Sequence, residues 1–372
     1  MVVGGRGTIE ESQSRPLTMA RRTAVVTGAT GQDGSYLSEL LLDKGYSVHG
    51  MVRRTSQAAI GRNLISHLIG NPNFHIISGD LADQVSIENV IKEVEPDEFY
   101  NLGAQSFVPE SWRSPTNTSD ITGLGALRCL EAIKTHRPEC KFYQAGSSEQ
   151  FGKVVETPQD ENTPFYPRSP YGCAKVFAHY ITKNYRESYD LHASTGILFN
   201  HESPRRGIEF VTRKVTLSAA RISSGIQKFM EVGNVEAKRD WGYAGDYVEM
   251  MWKMTQRETP DDYVISTGET YSVKDMINLA FGRVGMELSW TGEGIETIAS
   301  DQDGNVRVKT NPKFFRPAEV DILVGNSEKA SRELGWTPKT GFEELIFMMV
   351  DNDMEIVRTA IKHGVDPPSP LY

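Results

Sequence analysis

The apolar run Ala24-Val25-Val26 leads straight into Thr27-Gly28-Ala29-Thr30-Gly31-Gln32-Asp33-Gly34. Tyr36, Leu37, Leu40 and Leu41 then recur at helical spacing until Gly45. A buried strand, a glycine-rich turn and a helix in immediate succession leave few folds open. Gly28 permits the tight turn, Gly31 lets the backbone approach a pyrophosphate, and Gly34 lets the helix pack closely on the strand. The helix N-terminus offers N–H groups and partial positive charge to phosphates. The strand–turn–helix setting distinguishes this pattern from an ordinary turn. Residues Gly28, Thr30, Gly31, Gln32, Asp33 and Gly34 are therefore read as the cradle of a dinucleotide.

The same alternation continues along the chain. Strands are predicted at 48–52, from Ile76, at 98–102, 142–145 and 194–199. Helices are predicted at 122–135, with Leu124, Leu127, Leu130 and Ile133 on one face, and at 170–189. The fold class that follows is α/β, a Rossmann-type doubly wound parallel sheet covered by helices on both faces. After Asn200 the rhythm changes. Helical stretches at 215–222 and 246–256 mix with isolated strands at 229–232 and 263–266, and the polar segment 291–310 is expected to be a long loop. The chain divides into a flexible extension over 1–22, a dinucleotide-binding domain over 23–200 and a smaller C-terminal α/β substrate-binding region over 201–372. The last two have room to exchange elements. Met19, just ahead of the first strand, is a second candidate start.

Composition excludes several classes of function. Among 372 residues, 40 Lys and Arg face 49 Asp and Glu, a net charge of −9. Such a surface disfavours nucleic acid and anionic membranes, although a local basic pocket remains open. No run of 18 apolar residues spans a membrane, and the N-terminus lacks the apolar core of a signal peptide. The cysteines Cys129, Cys140 and Cys173 are odd in number and form no CxxC pair. Neither a disulfide framework nor a metal site is expected, and a reducing cytoplasm fits.

The end of the second strand bears on which dinucleotide is bound. An acidic residue there would hold the ribose of NAD. This chain has Arg53-Arg54-Thr55-Ser56 instead, two guanidiniums and two hydroxyls that suit a 2′-phosphate, so NADP is favoured. Asp80 and Leu81 follow the third strand and are placed against the adenine. Leu102-Gly103-Ala104-Gln105-Ser106 follow the fourth, beneath the nicotinamide half. All stand at carboxyl ends of parallel strands, where open sheets bind ligands. Tyr171 and Lys175 open the long helix at i and i+4, on one face. A lysine cation there would favour the phenolate and make Tyr171 a base for a hydroxyl proton. Ser147 and Glu149 follow the fifth strand. The hydroxyl suits a dehydrogenase; the carboxylate suits proton abstraction beside a carbonyl and proton donation to a leaving hydroxyl. Cys173 is read as a packing residue, since no adjacent base is identified.

On these residues the chain resembles the extended short-chain dehydrogenase/reductase family, and within it the GDP-mannose 4,6-dehydratases. The similarity rests on residues 27–37, 101–106 and 163–172. Its most specific stretch is Gly196-Ile197-Leu198-Phe199-Asn200-His201-Glu202-Ser203-Pro204-Arg205-Arg206-Gly207, followed by 210–214, 238–242 and 315–321. It runs from about residue 23 to 355. The resemblance implies that Tyr171, assisted by Lys175, takes the 4-hydroxyl proton of GDP-mannose while hydride passes from C4 to NADP. Ser147 would polarise the C4 oxygen. Glu149 would remove the C5 proton and help water leave C6, after which hydride returns to C6. Asn200, Lys214, Arg239, Arg316 and Glu319 match contacts to the nucleotide sugar, with Ser106, Ser147 and Glu149 beside it. His201 and Arg206 match positions lining the cofactor, on an arginine-bearing loop that reaches a subunit interface, which implies a homo-oligomer, a dimer or a tetramer.

Three departures stand out. Ser147 replaces a common threonine. Gly146 replaces a common serine and could loosen the loop carrying Ser147. Phe107 stands where many relatives have histidine. The competing readings are a nucleotide-sugar 4-epimerase, which has no use for Glu149, a GDP-heptose dehydratase, and a non-catalytic NADP-binding protein, which need not keep Tyr171, Lys175 and Glu149.

Overall fold

The computed structural model of the chain describes residues 21–54, 64–315 and 322–370. Seven strands form one wholly parallel sheet. In chain order they are β1 (Thr23–Thr27), β2 (Ser47–Val52), β3 (Phe74–Ser78), β4 (Glu98–Asn101), β5 (Lys141–Ala145), β6 (Ala193–Leu198) and, after β7 to β10 below, β11 (Tyr263–Ile265). Their spatial order is β3-β2-β1-β4-β5-β6-β11, so the chain runs out from β1 in one direction and then reverses. The reversal between β1 and β4 opens a crevice at the carboxyl ends of the strands.

Burial on both faces explains the apolar runs. Ala24 and Val26 face one layer, with Leu37 and Leu41 of α1 (Gln32–Asp43). Val25 faces the other, with Ile87, Val90 and Ile91 of α2 (Gln84–Val94). Two short helices, α3 (Val108–Arg113) and α4 (Pro115–Thr118), lead into a π-helical stretch over Ser119–Leu124 and then α5 (Gly125–His136). The wider turn shifts the helix face. Ala126, Cys129, Leu130 and Ile133 are buried, whereas Leu124, expected on that face, is 41% exposed. The long helix α6 (Pro170–Tyr189) starts where the sequence places it. Ser169 Oγ accepts the Gly172 N–H at 3.0 Å, and Pro170 occupies the first turn.

The later elements supply a second layer of small sheets and helices, together with two helices that pack against the first sheet. They are β7 (Asn200–Glu202), α7 (Val211–Ser223), β8 (Met230–Val232), β9 (Lys238–Arg239), β10 (Trp241–Tyr243), α8 (Ala244–Thr255), β12 (Tyr271–Ser272), α9 (Val273–Arg283), β13 (Ser289–Thr291), β14 (Ile298–Ser300), β15 (Val306–Thr310), β16 (Ile322–Leu323), α10 (Glu328–Leu334) and α11 (Phe342–Lys362). The chain returns to the first sheet after residue 200. Strand β11 extends it beyond β6, and α8 packs along α1 with Tyr247, Met250, Met251 and Met254 in the shared core. A separate core joins α7, α9 and α11 through Val215, Ile277, Phe281, Ile346 and Val350.

The segment 291–310, expected as a loop, carries two strands, β14 and β15, and the end of β13. It closes a four-stranded sheet, β13-β14-β15-β8. Its Asp- and Gly-rich part is a tight turn in which Asp301 Oδ1 accepts the N–H groups of Asp303 and Asn305, at 3.0 and 2.9 Å. Ala299 and Val308 are fully buried in this segment, so its apolar alternation is too sparse to read as strands. No described helix is long and apolar enough to cross a membrane.

Candidate active site

The glycine loop sits at the head of the crevice. Gly28 has φ +66°, and a β-carbon there would lie 3.0 Å from the Gly103 nitrogen. A β-carbon on Gly34 would lie 2.2 Å from the Gly28 carbonyl oxygen, so only glycine lets α1 approach the turn this closely. Gly31 is the N-cap of α1 and no side chain caps it, which leaves the helix end open toward the crevice. These features fit a pyrophosphate. Arg53 and Arg54 are exposed just beyond β2. Thr55 and Ser56, expected beside them, lie outside the described residues.

A hydrogen-bonded ladder ties this loop to the catalytic helix. Thr27 Oγ1 accepts the N–H groups of Leu102 and Gly103 and donates to Asn101 Oδ1 at 2.8 Å. Asn101 Nδ2 donates to Gln144 Oε1 at 2.8 Å, and Gln144 Nε2 donates to the Ala145 carbonyl at 3.0 Å. That carbonyl also receives Lys175 Nζ at 2.6 Å. The buried polar residues at three strand ends thus fix one another and the lysine. Beside the ladder, Leu81 packs on Gly103, and its carbonyl is held by Arg128 at 2.9 Å. Asp80 caps its own turn through the Ala82 N–H. Ala104 is half-buried, Gln105 accepts from Thr118 Oγ1 at 3.1 Å, and Ser106 is exposed at the rim.

Ser147, Glu149 and Tyr171 come together at the end of β5. Ser147 caps a 3-10 turn over Ser148–Gln150 in a capping box with Gln150, whose Oε1 accepts the Ser147 N–H at 2.8 Å. The loosening expected from Gly146 is absent. A β-carbon there would lie 2.7 Å from the Gly196 carbonyl and 2.8 Å from Gln150 Oε1, so the missing side chain allows tight packing. Burial pushes the Tyr171 hydroxyl up to about 12, with the charges of Glu149 and Asp33 adding to the rise. A hydrogen bond with Ser147 and the charge of Arg206 pull the other way. Burial pushes Lys175 down to about 8, against the pull of Asp33. Lys175 Nζ donates to the Ala145 carbonyl and lies 5.7 Å from the Tyr171 ring centroid.

His201 and Asp33 link the two layers. His201 Nδ1 meets the Phe199 carbonyl at 2.8 Å and Nε2 meets Asp33 Oδ2 at 2.8 Å. Both partners are acceptors, an arrangement that favours protons on both ring nitrogens. Burial opposes that charge, but Asp33 outweighs it and raises the His201 pKa; the imidazolium likewise lowers that of Asp33 against burial. Gln32 Nε2 donates to the His201 carbonyl at 3.0 Å, and Ser203 Oγ to Gln32 Oε1 at 2.7 Å. Arg205 and Arg206 are both engaged within their own chain. Arg205 bonds Ser35 and Glu39 on α1, and Arg206 lies over the Phe210 ring at 3.6 Å.

The second layer holds further cations. Lys214 on α7 and Arg239 on β9 are both buried, and Asn200 on β7 is half-buried. Burial pushes Lys214 down to about 8, with its Nζ 3.7 Å from the Phe314 ring centroid. Arg316 and Glu319 lie outside the described residues. No group of metal-ligating side chains forms among the described residues.

A family model described as GDP-mannose 4,6 dehydratase matches residues 25–349. The chain belongs to this family. It is 51% identical to a GDP-mannose 4,6 dehydratase of Drosophila melanogaster over 91% of this chain and 87% of the relative. It is 48% identical to that of Homo sapiens over 95% and 96%. A solved UDP-glucose 4-epimerase from Thermotoga maritima shares the fold with a TM-score of 0.75 at 22% identity, covering 91% of this chain and 99% of that one. So does a dTDP-glucose 4,6-dehydratase from Streptomyces venezuelae with NAD bound, with a TM-score of 0.76 at 17% identity, covering 91% and 98%.

Several residues in the site were not singled out in sequence. Asn101 and Gln144 end buried strands, and their polarity after an apolar run was the available signal. Arg213 and Asp353 stand 140 positions apart in the chain. No spacing rule connects them.

Proposed function

We propose that the chain is an NADP-dependent GDP-mannose 4,6-dehydratase, a hydro-lyase that converts GDP-D-mannose to GDP-4-keto-6-deoxy-D-mannose and water. The observation that carries this reading is the Glu149 carboxylate, set on the same turn as Ser147 and felt at the Tyr171 hydroxyl. An epimerase or simple dehydrogenase needs the tyrosine and the serine but not the acid.

The cradle of Gly28, Gly31 and Gly34 would hold the pyrophosphate, and Arg53 and Arg54 the 2′-phosphate. NADP bound there supplies a hydride acceptor for C4 and a hydride donor for C6. Tyr171 takes the proton of the 4-hydroxyl, and Ser147 hydrogen-bonds the C4 oxygen. The resulting ketone acidifies C5–H. Glu149 removes that proton and passes one to the C6 hydroxyl, which leaves as water. A proton then returns to C5, and the one taken by Tyr171 closes the balance. Lys214, Arg239 and Asn200 would grip the diphosphate by charge-assisted hydrogen bonds. Arg316 and Glu319 are assigned beside them from the family motif. The same reading makes the enzyme a homo-oligomer, which agrees with the exposed Leu124 at the end of the π-helical stretch and Phe177 and Tyr180 on α6.

Mass spectrometry of the product from GDP-mannose tests the reading. Loss of one water is expected, with GDP-heptose, UDP-glucose and dTDP-glucose turned over poorly. An isomer of unchanged mass would point instead to an epimerase.

A further inference from the structure

The π-helical stretch over Ser119–Leu124 leads into α5, and the chemistry above does not use it. Such widened turns recur at functional sites. Its polar groups hold two loops at once. Arg128 of α5 donates from Nη2 to Asp120 Oδ1 at 2.6 Å, and from Nη1 to the Asp120 carbonyl at 3.1 Å. The same Nη1 donates to the Leu81 carbonyl, beyond β3, at 2.9 Å. Ordinary helix neighbours stand three or four residues apart, so a pair at i and i+8 is not one of them. On the other side, buried Thr122 accepts the Gln105 N–H at 3.1 Å. Thr118, just ahead of the stretch, donates to Gln105 Oε1 at 3.1 Å. Leu81 and Gln105 follow strands β3 and β4, which lie on opposite sides of β1 and its glycine loop.

Leu81 links this brace to the glycine cradle. A β-carbon on Gly103 would lie 2.7 Å from Leu81 Cδ1, and one on Gly28 would lie 3.0 Å from the Gly103 nitrogen. Leu81, Gly103 and Gly28 therefore pack in direct succession. A β-carbon on Gly125, the first residue of α5, would lie 3.1 Å from Leu81 Cβ. Leu81 is thus held by its carbonyl through Arg128 and by its side chain between two glycines. A part-exposed ion pair adds little to stability by itself. The Arg128 and Asp120 side chains are 21% and 37% exposed, so the bond onto Leu81 is what distinguishes this pair. We infer that Arg128, held by Asp120 on the π-helical stretch, is a positioning residue for the dinucleotide: it fixes Leu81 as a wall for the adenine end. A wall ordered in advance spares the cost of ordering it on binding.

This inference rests on the reading that places the dinucleotide over the Gly28 cradle, and the test separates the two. Binding of NADP and of adenosine 2′,5′-bisphosphate, which carries the adenine end alone, is measured by calorimetry on the full chain freed of nucleotide. Gly31→Asp sets a carboxylate at the open N-terminus of α1, a position where aspartate is a favourable cap. It must abolish NADP binding; if it does not, the placement of the dinucleotide fails. Arg128→Met keeps the stem of the side chain and loses its hydrogen bonds. It is expected to weaken NADP and the bisphosphate alike, roughly 5- to 10-fold, while affinity for GDP changes less than about two-fold. Arg128→Lys should recover part of the loss through its single amine. Asp120→Asn should weaken both ligands by less, and combined with Arg128→Met it should add nothing to Arg128→Met alone. It serves if Arg128→Met does not fold. Thr122→Val frees only the Gln105 side and should leave bisphosphate affinity within about two-fold. Unchanged bisphosphate affinity in the folded Arg128→Met and Asp120→Asn variants, or an equal loss from Thr122→Val, would overturn the inference.

Discussion

The two ligand-facing layers of the molecule are built in different ways. In the first, each functional group stands where a parallel strand ends or a helix begins. Thr27, Asn101 and Gln144 stand at the ends of their strands, Gly31 and Tyr171 open helices, and one ladder of hydrogen bonds joins the three strand ends to Lys175. In the second layer the groups stand on short strands, a loop and one helix, and their places are set by distant partners. Lys214 lies over the Phe314 ring, Arg213 holds the backbone carbonyls of Pro204 and Arg206, and His201 pairs with Asp33 of the first layer. On the proposed function, regular structure carries the chemistry and tertiary packing carries the grip on the substrate. Substitutions of the catalytic groups in the first layer should therefore act on rate, and those in the second on substrate affinity or on the fit between layers.

The largest effect is expected at Tyr171. Tyr171→Phe should lower kcat on the order of 10³-fold while NADP still binds, as read by quenching of protein fluorescence. Retained turnover would remove the tyrosine from the first step. Glu149→Gln should cost about 10²-fold in product, with enzyme-bound NADPH building up on addition of GDP-mannose. A variant that forms product normally would take the acid out of the mechanism. Lys214→Met should raise KM for GDP-mannose roughly 10-fold and leave kcat nearly unchanged. In the unaltered enzyme KM should climb as pH rises through about 8, where Lys214 loses its proton, and the methionine variant should lose that dependence. Equal loss in kcat would place Lys214 at the chemistry and blur the contrast between layers.

The smallest effect concerns the contact between layers. His201 has its pKa raised above 6.5, so its contribution to stability is complete below pH 6.5 and disappears as pH rises through the higher, folded value. Asp33 has its pKa lowered below 3.8, so its contribution is complete above pH 3.8 and disappears as pH falls through the lower, folded value. His201→Gln should therefore lower Tm by about 2–4 °C between those two pH values, and by less at alkaline pH. A difference independent of pH would show that the imidazole is held by packing on Tyr247, 4.8 Å away, and not by charge.

How much of this was legible in the sequence follows the same division. The glycine cradle, the Tyr171–Lys175 pair and the strand–helix alternation of the first layer are local patterns, and they read directly. Helix α6 begins and ends at the predicted residues because Ser169 and Pro170 start it and Asp190, at φ 55°, stops it. The strands at 298–300 and 306–310 did not read as such, since a two-residue apolar signal is too thin. Leu124 misled because a π-helical turn shifts the helix face, and no residue type announces one. The i, i+4 spacing puts Lys175 on the same face as Tyr171 but does not reveal that the amine also donates to the Ala145 carbonyl. Arg213 and Asp353 were invisible because only the folded chain makes them neighbours.

GDP-mannose carrying deuterium on C4 follows the hydride itself. If NADP is reduced and reoxidised within one turnover over Tyr171 and Glu149, the product is lighter by one water and the deuterium stands on C6, with none released to solvent. A product that keeps the deuterium on C4, or one that retains the substrate's mass, would contradict dehydration at this site.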